Sequence, residues 1–315
     1  MKIICAGEML IDFTPTEGSF TYKANPGGAV ANVAVSTARN GIDTSFLGLL
    51  GNDDFGRMLK KVLSDNNITM LKPELTDDAI TTLAFVTLYE NGERSFTFVR
   101  KPGADILLSP DDVREEDIRN CDLLHAGSVS LSDEPSREAI FKALRTAHEE
   151  GKMVSFDVNY RDNIWHDENK CKQKVYELLP YVDFLKISDE ETFIVGGSED
   201  DIPDFMKRFN IRVLIETLGS KGARYFFNDD GSVLTDTIKG YEVHAIDATG
   251  AGDAFWGGFL SRILMFEPAC SHDVTEQMVR ESLDYGNKSG ALCVQKMGGI
   301  PAIPDKDQIG ACPWT

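Results

Sequence analysis

The stretch DATGAGDAF, residues 247–255, decides how this chain reads. Gly250 and Gly252 bracket Ala251, a charge follows at Asp253, and a long apolar pattern begins. Phe255, Phe259, Ile263 and Phe266, joined by Leu260 and Leu264, recur on one helical face. TGAG is therefore a turn feeding a helix N-terminus. The N–H groups there lack intrahelical partners, and the helix dipole is positive. Glycines let a ligand approach the backbone closely. Such a turn suits an anion, above all a phosphoryl group. A carboxylate beside bound phosphate would repel it. Asp253 makes sense as a base that takes the proton from a hydroxyl attacking that phosphate, while the amides stabilise the developing charge. The plainer reading, a first-turn acid complementing the dipole, stands beside it.

Two familiar phosphate motifs are excluded. No GxxxxGK followed by Ser or Thr occurs, so there is no P-loop. GAGDAF matches the first two glycines of GxGxxG, but Phe255 takes the place of the third, and no βαβ half follows. A Rossmann dinucleotide site, and with it an NAD-dependent enzyme, is the weaker alternative.

A second glycine pair, Gly27-Gly28, also opens a helix pattern, and Asn32 places an amide among Val30, Val33 and Val35. Taken alone this is a tight turn and a solvated asparagine. With Asp12 at the end of the first strand it makes a polar cluster suited to sugar hydroxyls.

The chain of 315 residues is 42% hydrophobic and 26% charged, enough for a sizeable core. With 32 basic and 51 acidic residues its net charge is −19, which argues against nucleic acid or an anionic membrane as partner. The six cysteines are dispersed without a CxxC pair, as expected of reduced thiols in a cytoplasmic protein. No HxH or HExxH occurs, so a dedicated zinc site is not expected. No apolar run reaches membrane-span length. Glu8 and Asp12 interrupt the N-terminal run too early for a signal peptide, leaving a first buried strand.

Strand-like runs alternate with helix-like ones. Residues 2–9, 44–51, 121–128, 153–159, 182–188 and 213–219 read as strands; 29–41, 54–67, 137–151 and a segment near 168–179 read as helices. Ser109-Pro110-Asp111-Asp112 resembles a helix start. Continuous apolar strands suit a sheet covered on both faces, and the βα rhythm implies a mostly parallel sheet with helices on both sides. One stretch breaks the rhythm. Residues 81–101 are two strand-like arms around Asn91-Gly92, a hairpin signal, and residues 13–23 are also strand-like. Together they predict a small inserted β-sheet, placed as a lid over the carboxyl edge where open α/β sheets bind ligands. The reading is one domain over 1–315, with a lid formed by segments near 13–24 and 79–104.

The two glycine sites together resemble the ribokinase-like (PfkB) family of sugar kinases. GGAVANVA (27–34) resembles the family's GGxxxNxA signature, and DATGAGDAF resembles its DxTGAGD signature. The resemblance covers essentially the whole chain. Residues 94–108, 125–131, 156–165, 185–191 and 217–226 resemble the fructokinase branch most. The resemblance implies a three-layer α/β/α body with a mostly parallel sheet and a small β-sheet lid. It implies transfer of phosphate from ATP, with Mg²⁺, to a ketohexose, D-fructose giving fructose 6-phosphate. Asp253 would be the catalytic base, and the amides of Gly250, Ala251 and Gly252 the anion hole. Asp12, Gly28 and Asn32 would bind sugar hydroxyls, with Arg161 near the substrate and Phe98 and Arg100 closing over it. Lys186, Thr217, Gly219, Gly222 and Asn287 would line the ATP site. Glu191 would organise Mg²⁺ through water. Asp247 and Thr249 match part of a loop that binds a monovalent cation such as K⁺ in some relatives, the other ligands being carbonyls near 293–298. One departure is visible: many relatives carry NxxE where this chain has Ser188 to Glu191.

The alternatives are a 2-keto-3-deoxygluconate kinase, with Arg100 or Arg161 pairing an acid sugar, and a nucleotide-binding regulator without chemistry. Strand edges of the lid also make a homodimer through that sheet an expectation.

Overall fold

The computed structural model describes residues 1–16, 21–88 and 94–314. The chain opens with β1 (Lys2–Ala6), β2 (Leu10–Pro15), β3 (Tyr22–Gly27) and α1 (Ala29–Arg39). Then come β4 (Asp43–Leu47), β5 (Leu50–Gly51), α2 (Asp54–Asp65), β6 (Thr69–Met70) and β7 (Leu75–Thr76). The antiparallel pair β8 (Leu83–Leu88) and β9 (Arg94–Val99) follows. Next the chain alternates through α3 (Glu115–Arg119), β10 (Leu123–Gly127), α4 (Ser136–Glu149), β11 (Met153–Asp157), α5 (Asp162–Trp165) and α6 (Glu168–Leu178). It continues with β12 (Phe184–Ser188), α7 (Ile202–Phe209) and β13 (Val213–Thr217), then β14 (Gly222–Asp229), β15 (Ser232–Lys239), α8 (Ala251–Met265) and α9 (Glu276–Cys293).

Nine strands form the main sheet in the order β15-β14-β13-β12-β11-β10-β1-β4-β6. It is parallel from β13 to β6, and β14 and β15 run antiparallel at one edge. The continuous apolar runs are explained by two-sided burial. Ile3 and Cys5 pack with α1, α8 and α9, whereas Ile4 and Ala6 pack with α4, α6 and α7. The order reverses at β1, so the crevice beyond the carboxyl ends of β1 and β10 is where such sheets bind ligands. A separate four-stranded sheet, β3-β2-β8-β9, branches off after β1. It is the appended sheet expected from residues 13–23 and 81–101. The Asn91-Gly92 turn and part of the 13–23 segment lie outside the described residues.

Three expectations are corrected. The first strand ends at Ala6 and not near residue 9, because the Glu8 carboxylate turns inward to bind the Val30 amide and the Ser130 hydroxyl. The 44–51 run divides into β4 and β5, and β5 leaves the main sheet to pair with β7. Ser109 does form a capping box with Asp112, but the helix stops as a single 3₁₀ turn, Pro110–Asp112, and α3 starts only at Glu115. Helix α8 is apolar on most of its surface because it lies between α1 and α9. Trp256 and Phe259, both fully buried, stack 4.8 Å apart on it.

Candidate active site

Gly250 caps α8 with φ +75°, and a Cβ there would lie 3.1 Å from the Cα of Gly299. Backbone geometry alone requires glycine at that position. Gly252 differs. It lies in the first helical turn, and a Cβ there would meet only the end of the Lys186 side chain, at 3.8 Å. Nothing inside the protein demands a glycine at 252, so close approach by a ligand is the reason left for it. Of the three expected anion-hole residues, Ala251 is partly engaged: its N–H donates to the Ala248 carbonyl at 3.2 Å. Helix geometry leaves Gly252 and Asp253 with N–H groups that have no carbonyl of the helix to bond.

Asp253 is buried at the mouth of α8. The Asn32 Nδ2 donates to its Oδ2 at 2.7 Å, across 221 residues of sequence. Burial pushes the Asp253 carboxyl above its ordinary value; the Asn32 bond and the cations of Lys186 and Arg161 oppose that, and Asp157 adds to it. Asn32 thus faces the expected base. Its Oδ1 is buried with no hydrogen-bond partner. A buried acceptor of this kind calls for a donor, and a ligand hydroxyl would serve.

Lys186, expected at the ATP site, lies on β12. It is buried, and its Nζ reaches both carboxylate oxygens of Asp157 at 2.9 Å. The pairing follows from register, because Asp157 on β11 lies directly opposite Lys186 on β12. No local sequence signal marks Asp157. The same holds for Asn159, whose Nδ2 is buried without a partner. Asn159 adopts φ +39°, uncommon for a side-chain-bearing residue and tolerated best by asparagine and aspartate.

Glu191 is also buried, and its oxygens accept from the amides of Tyr160 at 2.5 Å and Ser188 at 2.8 Å. The serine that replaces the family's asparagine has a physical role here: Ser188 and Glu191 form a reciprocal capping box. Burial raises the Glu191 carboxyl, and Lys186 opposes the rise.

Asp12 projects from β2 at the root of the small sheet. Burial lifts its carboxyl to about 7, Arg161 opposes the shift, and Asp253 and Asp247 add to it. A Cβ on Gly27 would collide with its Oδ2 at 2.0 Å, so the first glycine of the pair clears room for Asp12. Gly28 has φ +104° and abuts the Glu8 carbonyl, which makes its glycine a backbone requirement. Ala84 is the register partner of both Asp12 and Phe98, so Asp12, Ala84 and Phe98 form one row across the small sheet. Residues in one row share a face. Arg161 donates to the Tyr160 carbonyl at 2.9 Å and is half-buried.

Arg100 corrects an expectation. It does not present a free cation to a sugar. Its guanidinium is buried and engaged by Asp105 at 2.8 Å and Ser132 at 2.7 Å. Asn287 is likewise engaged, donating to the Ile238 and Lys239 carbonyls at the end of β15 at 3.2 and 3.1 Å. Gly222 lies against the same strand, since a Cβ there would lie 2.1 Å from the Ile238 carbonyl. Gly219, with φ +58°, faces open space, and the Thr217 hydroxyl bonds the Ile187 carbonyl at 3.4 Å. Thr217, Gly219, Gly222 and Asn287 therefore gather at the carboxyl edge near β15. Asp12, Asn32 and Phe98 form a second group beside α1 and the small sheet. Asp253 and Lys186 meet where α8 joins the two.

Asp247 ties two loops together. It accepts from the Thr249 amide and hydroxyl at 2.9 and 2.7 Å and from the Gly298 amide at 2.9 Å. The Ile246 and Asp247 amides both donate to Val294. The loop carbonyls expected near 293–298 are thus brought beside 246–249. Among the described residues no group of three or more His, Cys, Asp or Glu side chains is placed to chelate a metal directly. No helix among them is long and apolar enough to cross a membrane.

A parallel-sheet body, a branching small sheet and a buried aspartate at a glycine-opened helix define a small-molecule phosphotransferase architecture. The chain belongs to the pfkB family of carbohydrate kinases, whose model matches residues 1–306. It is 38% identical over 312 residues to probable fructokinase-2 of Arabidopsis thaliana, covering 96% of this chain and 92% of that one. Among solved structures it resembles a double-mutant fructokinase from Vibrio cholerae O395 in its fructose-, ADP- and potassium-bound form. That match has a TM-score of 0.87 and 32% identity, over 98% of this chain and 97% of the other. It also resembles aminoimidazole riboside kinase from Salmonella enterica in complex with aminoimidazole riboside and an ATP analogue. There the TM-score is 0.83 and the identity 29%, over 98% of this chain and 99% of the other.

Proposed function

We propose that this kinase transfers the γ-phosphoryl group of ATP to the primary hydroxyl of D-fructose, giving fructose 6-phosphate and ADP. The observation that carries the reading is the contact between Asn32 and Asp253, made beside the Gly252 turn and the buried Lys186. It joins a sugar-side residue, a base and a phosphate cradle in one place. The fructokinases among the similar proteins support the choice of sugar. The engagement of Arg100 argues against an acid sugar, since it removes one of the two cations that would pair a substrate carboxylate.

In this reading Asp253 accepts the proton of the sugar hydroxyl. The oxygen forms its bond to the γ-phosphorus as the bond to the ADP oxygen breaks. The Gly252 and Asp253 amides and the Lys186 ammonium stabilise the charge on the transferring group. Asn32 orients the base and offers Oδ1 to a sugar hydroxyl, and Asp12 holds another. The small sheet covers the acceptor and excludes water. Thr217, Gly219, Gly222 and Asn287 shape the nucleotide end, the last two by fixing β15. Mg²⁺ would be held by the nucleotide phosphates and through water by Glu191, and would neutralise phosphate charge. Among the described residues no three His, Cys, Asp or Glu side chains gather to cage an ion, which suits contact through water. K⁺ would lie among the carbonyls that Asp247 and Thr249 draw together.

We also read residues 1–315 as one kinase domain with the small sheet as its lid. Tyr22, Ile80 and Val99, exposed on or beside the lid sheet, support a homodimer through that sheet, which sedimentation would reveal. The six cysteines are all free thiols, which suits a reducing compartment such as the cytoplasm. The functional test is ADP release with D-fructose, 2-keto-3-deoxygluconate, D-ribose or aminoimidazole riboside as acceptor. Preference for fructose is expected; preference for another acceptor would keep the chemistry and overturn the substrate.

A further inference from the structure

The β8–β9 hairpin joins the body through two residues. Thr82 immediately precedes β8, and Arg100 immediately follows β9. Both are buried, and a single carboxylate binds both. The Thr82 hydroxyl donates to Asp105 Oδ1 at 2.5 Å, and Arg100 Nε donates to Asp105 Oδ2 at 2.8 Å. The Arg100 and Asp105 side chains are 5% and 2% exposed. The remaining Arg100 nitrogens reach the segment after β10: Ser132 Oγ at 2.7 Å, Asp133 Oδ2 at 3.3 Å and the Val129 carbonyl at 3.3 Å. That segment also carries Ser130, which donates to Glu8 at 3.0 Å, and Glu8 accepts from the Val30 amide of α1 at 3.3 Å. A buried polar chain therefore runs from both roots of the hairpin to the helix that bears Asn32. The knot also fixes a glycine in the sequence: a Cβ on Gly103 would lie 1.8 Å from the Thr82 hydroxyl and 2.7 Å from Asp105.

A buried ion pair is a poor way to gain stability, because desolvation offsets most of the attraction. Its distinctive property is direction. The guanidinium fork holds Asp105 and Ser132 at fixed angles, and Phe98 lies two residues away on β9. We propose that Arg100 and Asp105 are positioning residues whose pair sets the hairpin's angle on the body and so holds Phe98 over the acceptor sugar. The proposal rests on the reading that the acceptor binds between body and lid. Neither residue touches the substrate in this account.

The test uses the full-length chain and the variant Asp105→Asn, which removes the charge and leaves the buried guanidinium facing a neutral amide oxygen, with the amide N–H₂ turned to the Thr82 hydroxyl. Hydrogen exchange should speed up about tenfold or more in residues 83–88 and 94–99 while β10 to β12 stay unchanged. The KM for fructose should rise about ten- to hundredfold, with the KM for ATP and kcat at saturating fructose within about threefold. The fructose 6-phosphate formed per ADP released should fall, because a displaced lid admits water. Arg100→Lys, which keeps the charge and loses the fork, should show the same pattern; Thr82→Val, which leaves the ion pair, should show it more weakly. Should Asp105→Asn not fold, these two variants carry the test. Exchange that is unchanged in the hairpin, or faster everywhere with KM and coupling intact, would overturn the proposal and leave a merely structural pair. A wrong choice of sugar would show separately, as wild-type protein that fructose does not stimulate. In that case the exchange measurement still decides whether the pair sets the hairpin.

Discussion

Gly252→Ala should move stability and activity in opposite directions. The added methyl meets nothing closer than Lys186 Nζ at 3.8 Å, an ordinary contact, and the backbone there is already helical. Replacing glycine by alanine at a compatible position stabilises by about 0.4–1 kcal/mol, through a less flexible unfolded chain. In a protein of this size that is a rise of about 1–3 °C in Tm. The same methyl sits beside the Lys186 ammonium, where the proposed mechanism has the transferring phosphoryl group approach the Gly252 and Asp253 amides. Keeping a phosphoryl oxygen off one such donor costs about 3–4 kcal/mol of transition-state stabilisation, a fall of about 10²–10³ in kcat. The assay pairs a thermal melt with fructose-dependent ADP release on the same preparation. A variant with raised Tm and kcat within threefold of wild type would mean that the glycine serves no ligand.

Lys186→Met should lower kcat by two orders of magnitude or more, and also destabilise the fold by about 3–5 kcal/mol, since Asp157 is left buried and unpaired. Adding Asp157→Asn should restore much of the stability, read by urea unfolding, but not the turnover. Asp12 carries a pH signature. Its folded value, about 7, lies above the ordinary carboxyl value, so the stability it contributes is complete below about pH 4 and is lost as pH rises through 7. Asp12→Asn should therefore gain stability relative to wild type as pH rises from 4 to 8, measured by melts across that range. Asn32→Ala removes the hydrogen bond that holds the Asp253 carboxyl down. The acid limb of its kcat/KM profile should move to higher pH; an unmoved limb would show that Asn32 does not tune the base.

The body was legible in the sequence because strands buried on both faces leave continuous apolar runs, and the glycine turn because a helix face starts right behind it. What escaped depended on contacts that only the folded backbone makes, whether the partner is near or far in sequence. Lys186 looks like an exposed strand-end lysine until β11 places Asp157 opposite it, 29 residues away. Arg100 looks like a cation aimed at a ligand until Asp105, only five residues on, folds back through a glycine that admits it. Gly28 and Gly222 match ligand signatures, yet close backbone contacts already require them. Ser188 departs from the family pattern and proves to be a helix-capping residue.

If Asp253 is the base of a fructose-phosphorylating site, Asp253→Asn should abolish the chemistry and spare sugar binding. The measurement is fructose-stimulated ADP release with Mg-ATP, beside fructose binding by calorimetry, for wild type and variant. Turnover should fall by about 10³-fold or more, as loss of an essential base and its electrostatics requires, with fructose affinity retained. Turnover near the wild-type rate in a folded variant would remove Asp253 from the chemistry.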